Sequence, residues 1–481
     1  MGKKEKGSNP NRLPAGKFFA WKSRDVALGC NVIVLGYLTI FCTDGLGLPA
    51  TLVGTLLLFS KIFDGVTDLF AGYIVDNTRT RFGKGRPYEL SILGVWLMTI
   101  IMFFCPPSMS TAVKAVWVFI TYTFINSIFT TLLNACQTPY MIRAFGSRKV
   151  IVKVSSFGGI VSTLGSAVVS ISFPRAMAAL ATSDTGWRNL ILIYALPLML
   201  IGILRFLFVK EEYDVDAAVK QEHIKMKEIL LMLKTNKYAW LFAGITLCFN
   251  IVLGMNAAAY YFTYIVGDIG RFGTLQMLTI PMLLIMFIFP KLMNRIPVSG
   301  LIGMGAAFGI AGYILNFFAG SSMTMLMIAF VATSFAALPI SYLQALIIMN
   351  LANFNEWKGM PRLEGTSGTV AGFASKIGSG IGSGILGILL GAAGFVSTAT
   401  GESVTQPAAA MTMIRCLYSI VPAVLFTIML LFTILYSKLD KLIDVYKRQP
   451  VFPGSTFEMP DKLLGKIAQM VKTAVNGNLC N

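Results

Sequence analysis

Residues Leu57–Pro87 read "LLFSKIFDGVTDLFAGYIVDNTRTRFGKGRP", an apolar run interrupted by charged side chains. Asp64 and Asp68 are four residues apart, so on a helix both face the same side, with Lys61 one turn earlier. A carboxylate inside a bilayer is costly unless it meets a cation, a proton or water. Two neighbouring carboxylates also repel each other. The pair therefore predicts a cation or proton site within a membrane helix.

The composition supports a membrane protein. The chain has 481 residues, of which 55% are hydrophobic and 13% are charged, whereas a soluble domain is about 25% charged. The net charge is +18, but the basic residues cluster in short connections between apolar runs. Basic residues there are an orientation signal, which predicts a plasma (inner) membrane protein with both termini cytoplasmic and no nucleic-acid partner.

Metal and enzyme chemistry have little support. The seven cysteines form no C-x-x-C pair and lie mostly in apolar runs, which is typical of packing residues. The single histidine argues against a metalloenzyme, because structural and catalytic metal sites usually need several His or Cys ligands. The sequence thus predicts a protein that is not an enzyme and has no cofactor other than a coupling ion, Na⁺ or H⁺. No metal is expected beyond a Na⁺ at Asp64 and Asp68.

Twelve apolar segments are long enough to cross a bilayer core of about 30 Å: 25–43, 51–76, 89–106, 112–137, 153–181, 188–209, 239–266, 272–290, 299–319, 322–350, 368–396 and 409–437. This predicts an all-α membrane protein of twelve transmembrane helices, which the longest polar connection divides into six plus six. The predicted parts are an N-terminal tail (1–24), the first six helices (25–209), a middle loop (210–238), the second six helices (239–437) and a tail (438–481); the resemblance described below implies that each set of six is a six-helix bundle. Apolar residues at helical spacing, with lysines between them, indicate an amphipathic helix in the last tail; a tail folded on the protein and a disordered tail remain alternatives.

Lys376 lies in "GFASKIGSGIGSGILG", far from any acid in sequence. A lysine deep in a membrane span is expected to pair with an acid on another helix, and the second-span aspartates are the candidates. The surrounding glycines form small-xxx-small faces that let a second helix approach closely. A static ion pair without a transport role remains an alternative.

Other polar residues give weaker signals. Asp25 opens the first span and is either a cavity acid or an interface charge. Asn256 and Tyr260 of the seventh span are candidates to line a cavity. For Tyr260, a place in an interfacial aromatic belt is the alternative. The turn after the second span is either a conformational latch or a topology signal and helix cap. Its candidate residues are Asp76, Arg79, Arg81 and Arg86.

The sequence resembles the glycoside–pentoside–hexuronide:cation symporters of the major facilitator superfamily, a melibiose-permease-like family. The resemblance rests on "KIFDGVTDLFAGYIVDNTRTRFGKGRP", "AYYFTYIVGD", "FIFPKL", "FNEWKGMPRLEG" and "SKIGSGIG", in family order over residues 24–437. It implies twelve helices in two bundles around a central cavity, alternating access and, usually, a monomer.

The resemblance also implies roles for individual residues. Asp64 and Asp68 match the cation-site carboxylates, Asp25 matches the first-helix sugar-binding acid, and Lys376 matches the lysine beside both sites. Thr67 stands where melibiose permease has an asparagine that assists sodium binding, which puts sodium use in question. Gln137 or Asn134 replaces a sugar-clasping acid.

A further departure lies in the fifth span, where Ser156 or a neighbour replaces a sugar-binding arginine. The expected function is cation-coupled symport of a sugar, glycoside or uronide. A carrier of a non-sugar solute such as a lysolipid, which would contact membrane lipid, is the alternative. A diphosphate-dependent membrane transferase, a channel and a sensor fit less well, because the chain has one D-x-x-x-D motif and small soluble segments.

Overall fold

The computed structural model describes residues 13–78, 80–145, 148–213, 234–285, 292, 295–359, 364–398 and 404–447. Residues up to Asp440 form one compact unit, and a second unit begins at Lys441. Of this second unit only residues 441–447, the end of the last helix, lie in the described ranges. The predicted amphipathic helix of the tail lies outside them.

The N-terminal half consists of helices joined by short turns. They are α1 (Ala15–Leu35), α2 (Leu38–Ile40), α3 (Ala50–Asn77), α4 (Ser91–Phe103), α5 (Thr111–Thr123), α6 (Thr131–Phe145), α7 (Arg148–Leu180) and α8 (Asp184–Phe208). A π-helical turn follows α2 and another joins α5 to α6, while a 3-10 turn (Arg86–Leu90) precedes α4. Helix α1 packs against α7 and α8, and α4 packs against α8.

The C-terminal half repeats this all-helical design. Its helices are α9 (Lys237–Met255), α10 (Ala257–Tyr260), α11 (Gly270–Gln276), α12 (Thr279–Ile285), α13 (Val298–Ala319), α14 (Met323–Trp357), α15 (Glu364–Ala392), α16 (Ala408–Tyr418) and α17 (Ile420–Lys447). The two halves meet where α15 packs against α3 and where α11 packs against α7.

Ten segments of the described chain are long and apolar enough to span a membrane, or eleven if the bent pair of α1 with the segment Leu38–Gly45 is one span. The predicted span 272–290 falls on α11 and α12 and continues into residues outside the described ranges. The helices that are described are therefore consistent with the twelve predicted.

The first helix begins earlier than the sequence predicts. The predicted tail ended at residue 24, but α1 starts at Ala15. Trp21 and Arg24 are buried, with 0% and 2% of their surfaces exposed. Lys22 and Arg24 resemble residues of a solvated tail in sequence, whereas in the structure both are buried.

The seventh predicted span is broken at Asn256. This residue has φ 48° and ψ 33° and separates α9 from α10. Asparagine tolerates the left-handed conformation better than most residues because its short amide hydrogen-bonds locally. The break turns the chain between two helical segments and leaves the Asn256 side chain exposed at the junction.

Glycines of α15 bring that helix into backbone contact with two neighbours. A Cβ at Gly382 would lie 2.2 Å from the Ile251 carbonyl oxygen of α9, and one at Gly387 would lie 2.7 Å from the Gly54 Cα of α3. Small residues allow such approaches between membrane helices. The glycine faces that the sequence predicts thus seat α15 between α9 and α3.

We expect Gly382→Ala to destabilise the protein, because the added methyl meets backbone atoms of α9 that cannot rotate away. Overpacking of this kind costs about 1–3 kcal/mol. The measurement is thermal unfolding of the purified protein in detergent. Gly384→Ala is the matched control, since its nearest neighbour is the Leu58 side chain at 3.4 Å; equal losses in both variants would contradict this account of the packing.

Candidate functional site

The aspartates of α3 face a lysine of α15 in the interior of the protein. The Lys376 ammonium lies 3.0 Å from Asp64 Oδ1 and 2.5 Å from Asp68 Oδ2. The Thr131 hydroxyl of α6 is 3.1 Å from Asp64 Oδ1 and 2.9 Å from Asp68 Oδ1. Three helices from both halves therefore converge on one pair of carboxylates.

The two carboxylates differ in access. The Asp64 side chain is 5% exposed and the Asp68 side chain is 42% exposed. Lys61 lies 3.9 Å from Asp64 Oδ2 and donates a hydrogen bond of 2.9 Å to Asn126 Oδ1. With Lys376, this second ammonium balances the two carboxylate charges. An incoming cation or proton would consequently compete with a lysine for Asp68.

Thr67 hydrogen-bonds to the main chain of its own helix. Its hydroxyl donates a 3.0 Å hydrogen bond to the main-chain carbonyl of Asp64. Thr131, which the sequence analysis did not single out, supplies the hydroxyl beside both acids. It lies in the apolar run "FTTLLN" of the fourth span, and nothing in that local sequence indicates that it contacts the aspartates. The role of Thr67 in ion binding stays a prediction.

A second charged cluster surrounds Asp25 in the N-terminal half. Asp25 lies 3.0 Å from Lys22, 3.2 Å from Arg24 and 3.3 Å from Arg205. Glu89, with 0% exposure, lies 3.5 Å from each of the two arginines. Three basic groups thus face two carboxylates, which leaves a surplus of one positive charge.

Gln137 joins this cluster. Its side-chain oxygen accepts hydrogen bonds from Arg24 and, at 2.9 Å, from Arg205. Gln137 and Asn134 line a cavity of about 370 Å³ together with Arg24 and Asp25. The structure therefore brings together three of the residues predicted to bind substrate, Asp25, Asn134 and Gln137. The Ser156 side chain lies outside the described part of the chain.

The remaining substrate candidates lie elsewhere. Tyr260 is buried, and its hydroxyl is 2.9 Å from the Thr43 hydroxyl. Asn256 lines a different cavity, within the C-terminal half. Lys376 binds the two aspartates of α3. The structure does not place Asn256 or Tyr260 in the Asp25 cavity, and their contact with a solute stays a prediction.

The latch candidates are only partly described. Arg79 and the Asp76 side chain lie outside the described residues, and the Arg81 guanidinium stacks on Phe82. Arg86 donates hydrogen bonds of 2.9 and 2.8 Å to the Phe206 carbonyl at the end of α8. The recorded contacts of Arg86 thus stay within the N-terminal half, and a latch between the halves stays a prediction.

The halves also meet at one end of the helices. The Tyr264 hydroxyl donates a 2.7 Å hydrogen bond to the Asp44 carboxylate, and the Thr398 N–H donates a 3.0 Å hydrogen bond to the Thr43 carbonyl. Asp44 is partly buried here. This group of polar contacts, called the closed end below, links the turn after α2 to the C-terminal half.

The family model described as "MFS/sugar transport protein" matches residues 26–441. The chain belongs to this family. Its members carry solutes across membranes, so this transporter is an integral membrane protein and not an enzyme. The predicted family and the all-α major facilitator fold are confirmed.

Relatives of this transporter cover nearly its whole length. An isoprimeverose transporter of Lactiplantibacillus pentosus is 30% identical over 446 residues, which cover 90% of each chain. A putative glycoside/cation symporter of Escherichia coli (strain K12) is 26% identical and covers 86% of this chain and 89% of its own. A bacterial homolog of the human lysosomal transporter Spinster, solved in an inward-facing, unoccupied conformation, has a TM-score of 0.67. At 17% identity, it covers 93% of this chain and 100% of its own, and it supports the fold alone.

Two charged residues of the Asp25 cluster in this transporter, Arg205 and Glu89, were missed by the sequence analysis. Arg205 occurs in "ILRFLF" near the end of the sixth span and Glu89 occurs in "RPYEL" at the start of the third. Both look like charges at the membrane surface. In the structure Arg205 stacks 3.4 Å from the Trp21 ring centroid, and both charged residues are fully enclosed. Both residues lie at the predicted inner ends of spans in the same half of the chain, and this shared position could have predicted that they meet.

We expect Arg205→Met to destabilise this transporter, because Glu89 and Asp25 each lose an ion-pair partner and the Gln137 oxygen loses a hydrogen-bond donor, while Lys22 and Arg24 still balance the two carboxylates. Leaving buried acceptors without a partner costs about 1–3 kcal/mol, and chemical unfolding in mixed micelles measures the loss. The control is Arg271→Ala, whose pair with Asp268 is 3.6 Å long with side chains 50% and 47% exposed; exposed pairs contribute about 0–1 kcal/mol. A stable Arg205→Met protein would show that the cluster is not needed for folding.

Proposed function

We propose that the protein couples the downhill movement of Na⁺ or H⁺ to the transport of a sugar, glycoside or uronide. The observation that carries this proposal is the bridge from Lys376 to Asp64 and Asp68. A buried carboxylate and a more exposed one, both held by a lysine of the other half, form a site whose charge balance one small cation or one proton changes. The names of the relatives, a sugar transporter and a glycoside/cation symporter, point in the same direction.

The coupling ion acts by replacing the lysine. A cation bound between the carboxylates, or a proton on Asp68, weakens the attraction that holds the Lys376 ammonium. Asp68 is the carboxylate through which the ion enters, because its side chain is the more exposed. Since Lys376 belongs to α15 and the acids belong to α3, the exchange loosens a contact between the halves.

The solute binds beside Asp25. Its carboxylate accepts hydroxyl hydrogen bonds, while Arg24 and Gln137 line the same cavity. Hydrogen bonds to charged groups are roughly twice as strong as those between neutral groups, which suits hydroxylated solutes. The surplus positive charge of the cluster also accommodates a carboxylate on the solute, so uronides belong in the substrate panel.

Access to the cavity alternates between the two sides of the membrane. With both termini in the cytoplasm, as the basic connections predict, the closed end faces outward. The contacts at the closed end support a form that opens toward the cytoplasm, and rocking of the halves exposes the opposite side.

We expect Asp68→Asn to abolish cation-driven solute accumulation in proteoliposomes, because the neutral amide no longer attracts the ion or the Lys376 ammonium. Solute exchange without a gradient should continue. Separate Na⁺ and H⁺ gradients are applied with a panel of pentosides, hexosides and uronides. Asp268→Asn, at an exposed position, is the control and should accumulate solute like the wild type; uphill accumulation by Asp68→Asn would overturn the proposed coupling site.

A further inference from the structure

The cations around Asp25 lie on two different oxygens of its carboxylate. Arg24 and Arg205 are 3.2 and 3.3 Å from Oδ1. Lys22 is 3.0 Å from Oδ2 and, among the described residues, is the cation on that side. The two arginines also lie 3.5 Å from Glu89 and are enclosed. Since the arginines alone balance Asp25 and Glu89, Lys22 supplies the surplus positive charge of the cluster.

The Lys22 side chain reaches Asp25 through a gap that Gly158 leaves in α7. A Cβ at Gly158 would overlap Lys22 Cε and would lie 2.5 Å from its Nζ. A Cβ at the neighbouring Gly159 would meet no described atom within 4 Å. One added methyl group at Gly158 would therefore displace the lysine, whereas the same change one residue later would not. The atoms that have to move are the far end of a flexible side chain, so the backbone of α7 can stay in place.

A displaced Lys22 side chain has space beside α1. Lys22 lines a cavity of about 680 Å³ between α1, α7 and α8, whereas Asp25 lines the smaller solute cavity. Phe19 and Phe208 are among the apolar residues of the larger cavity, and they are 60% and 67% exposed. Lysines pack their methylene stems on such apolar surfaces while the ammonium stays in polar surroundings. The larger cavity can therefore receive the Lys22 stem when its ammonium leaves Asp25.

The number of acceptor positions on Asp25 makes this movement relevant to solute binding. A carboxylate has about four acceptor positions, two on each oxygen. Both arginines face Oδ1, and Lys22 takes one position on Oδ2. A second solute hydroxyl at Oδ2 consequently requires Lys22 to leave. Lys22 is also the partner most able to leave, because its stem is flexible and its side chain is 11% exposed.

We propose that Lys22 is a specificity-determining residue of the solute site: it occupies Asp25 Oδ2 in the empty carrier and decides between neutral and anionic solutes. A neutral sugar that places two hydroxyls on Oδ2 has to displace the ammonium. A solute with a carboxylate leaves Lys22 in place and gains from the surplus charge that it supplies. Lys22 thus disfavours neutral solutes and favours anionic ones. This inference rests on the proposed function and assigns its solute selectivity to one residue.

The test measures equilibrium binding of matched sugars to the purified protein, namely methyl glucoside against methyl glucuronide and methyl galactoside against methyl galacturonide. Lys22→Met should bind the neutral glycosides about twofold to tenfold more tightly and the uronides weaker by a similar factor, the effect of one hydrogen bond or one ion pair. The control is Lys17→Met on the same helix, whose partner Glu212 is 52% exposed; it should leave both affinities unchanged.

Thermal unfolding of the same preparations separates selectivity from a structural role. Lys22→Met should fold, because two arginines still face two carboxylates. A merely structural lysine would lower stability and weaken both classes of sugar alike. That result would overturn the inference, and so would unchanged affinities for both classes.

A second variant moves the Lys22 ammonium without removing its charge. Gly158→Ala should bind neutral glycosides more tightly, as Lys22→Met does, and should keep most of the uronide affinity. Gly159→Ala is the matched control and should resemble the wild type. Equal affinities in the two alanine variants would overturn the inference.

The wild type distinguishes failure of this inference from failure of the proposed function. If the wild type binds neither class of sugar, the proposed solute site is refuted, and the role of Lys22 with it. If the wild type binds sugars but Lys22→Met shifts both classes in the same direction, only the role of Lys22 is refuted.

Discussion

The contact of the Lys376 ammonium with two carboxylates is the interaction on which the arrangement of the helices depends. In a bilayer, hydrophobic burial gives helices little reason to prefer one another over lipid, and packing and polar contacts decide which surfaces meet. Helix α3 carries Asp64 and Asp68, and α15 carries a lysine; either helix facing lipid would leave ionised groups in hydrocarbon. Each half therefore has to turn its charged face toward the other. The charges fix which helices form the interface before any side-chain packing is considered.

Glycine packing sets the distance across that interface. Gly54 and Gly387 bring the backbones of α3 and α15 together near the closed end, and Gly382 does the same between α15 and α9. These contacts involve backbone atoms, which cannot adjust as long side chains do. The backbone of Lys376 consequently has a fixed position relative to α3, and its flexible side chain extends from there to the two aspartates. An interface with larger residues would hold the helices farther apart and leave the ammonium short of the Asp64 carboxylate, which it now meets at 3.0 Å.

The sequence predicted this interface better than it predicted the charged cluster around Asp25. Charges within a long apolar run stand out, because nothing except a partner on another helix explains them, and this led to Asp64, Asp68 and Lys376. Arg205 and Glu89 lie near the predicted ends of spans, where a charge is ordinary and solvation explains it. Only the packing of α1, α6 and α8 around them shows that they are enclosed. The early start of α1 was missed for the same reason, since its basic residues are buried by tertiary contacts that no local pattern records.

The proposed ion site and the charged cluster around Asp25 are joined by α6. Thr131 contacts both carboxylates of the ion site, and Gln137, six residues later on the same helix, accepts hydrogen bonds from Arg205 and Arg24. Six residues of helix span about 9 Å, and a helix transmits a displacement over that distance because its backbone hydrogen bonds hold it together. If an ion replaces Lys376 and shifts Thr131, Gln137 moves with it and changes the solute cavity. Reciprocity then requires a solute that repositions Gln137 to alter ion affinity by the same factor, so symport does not need direct contact between ion and solute.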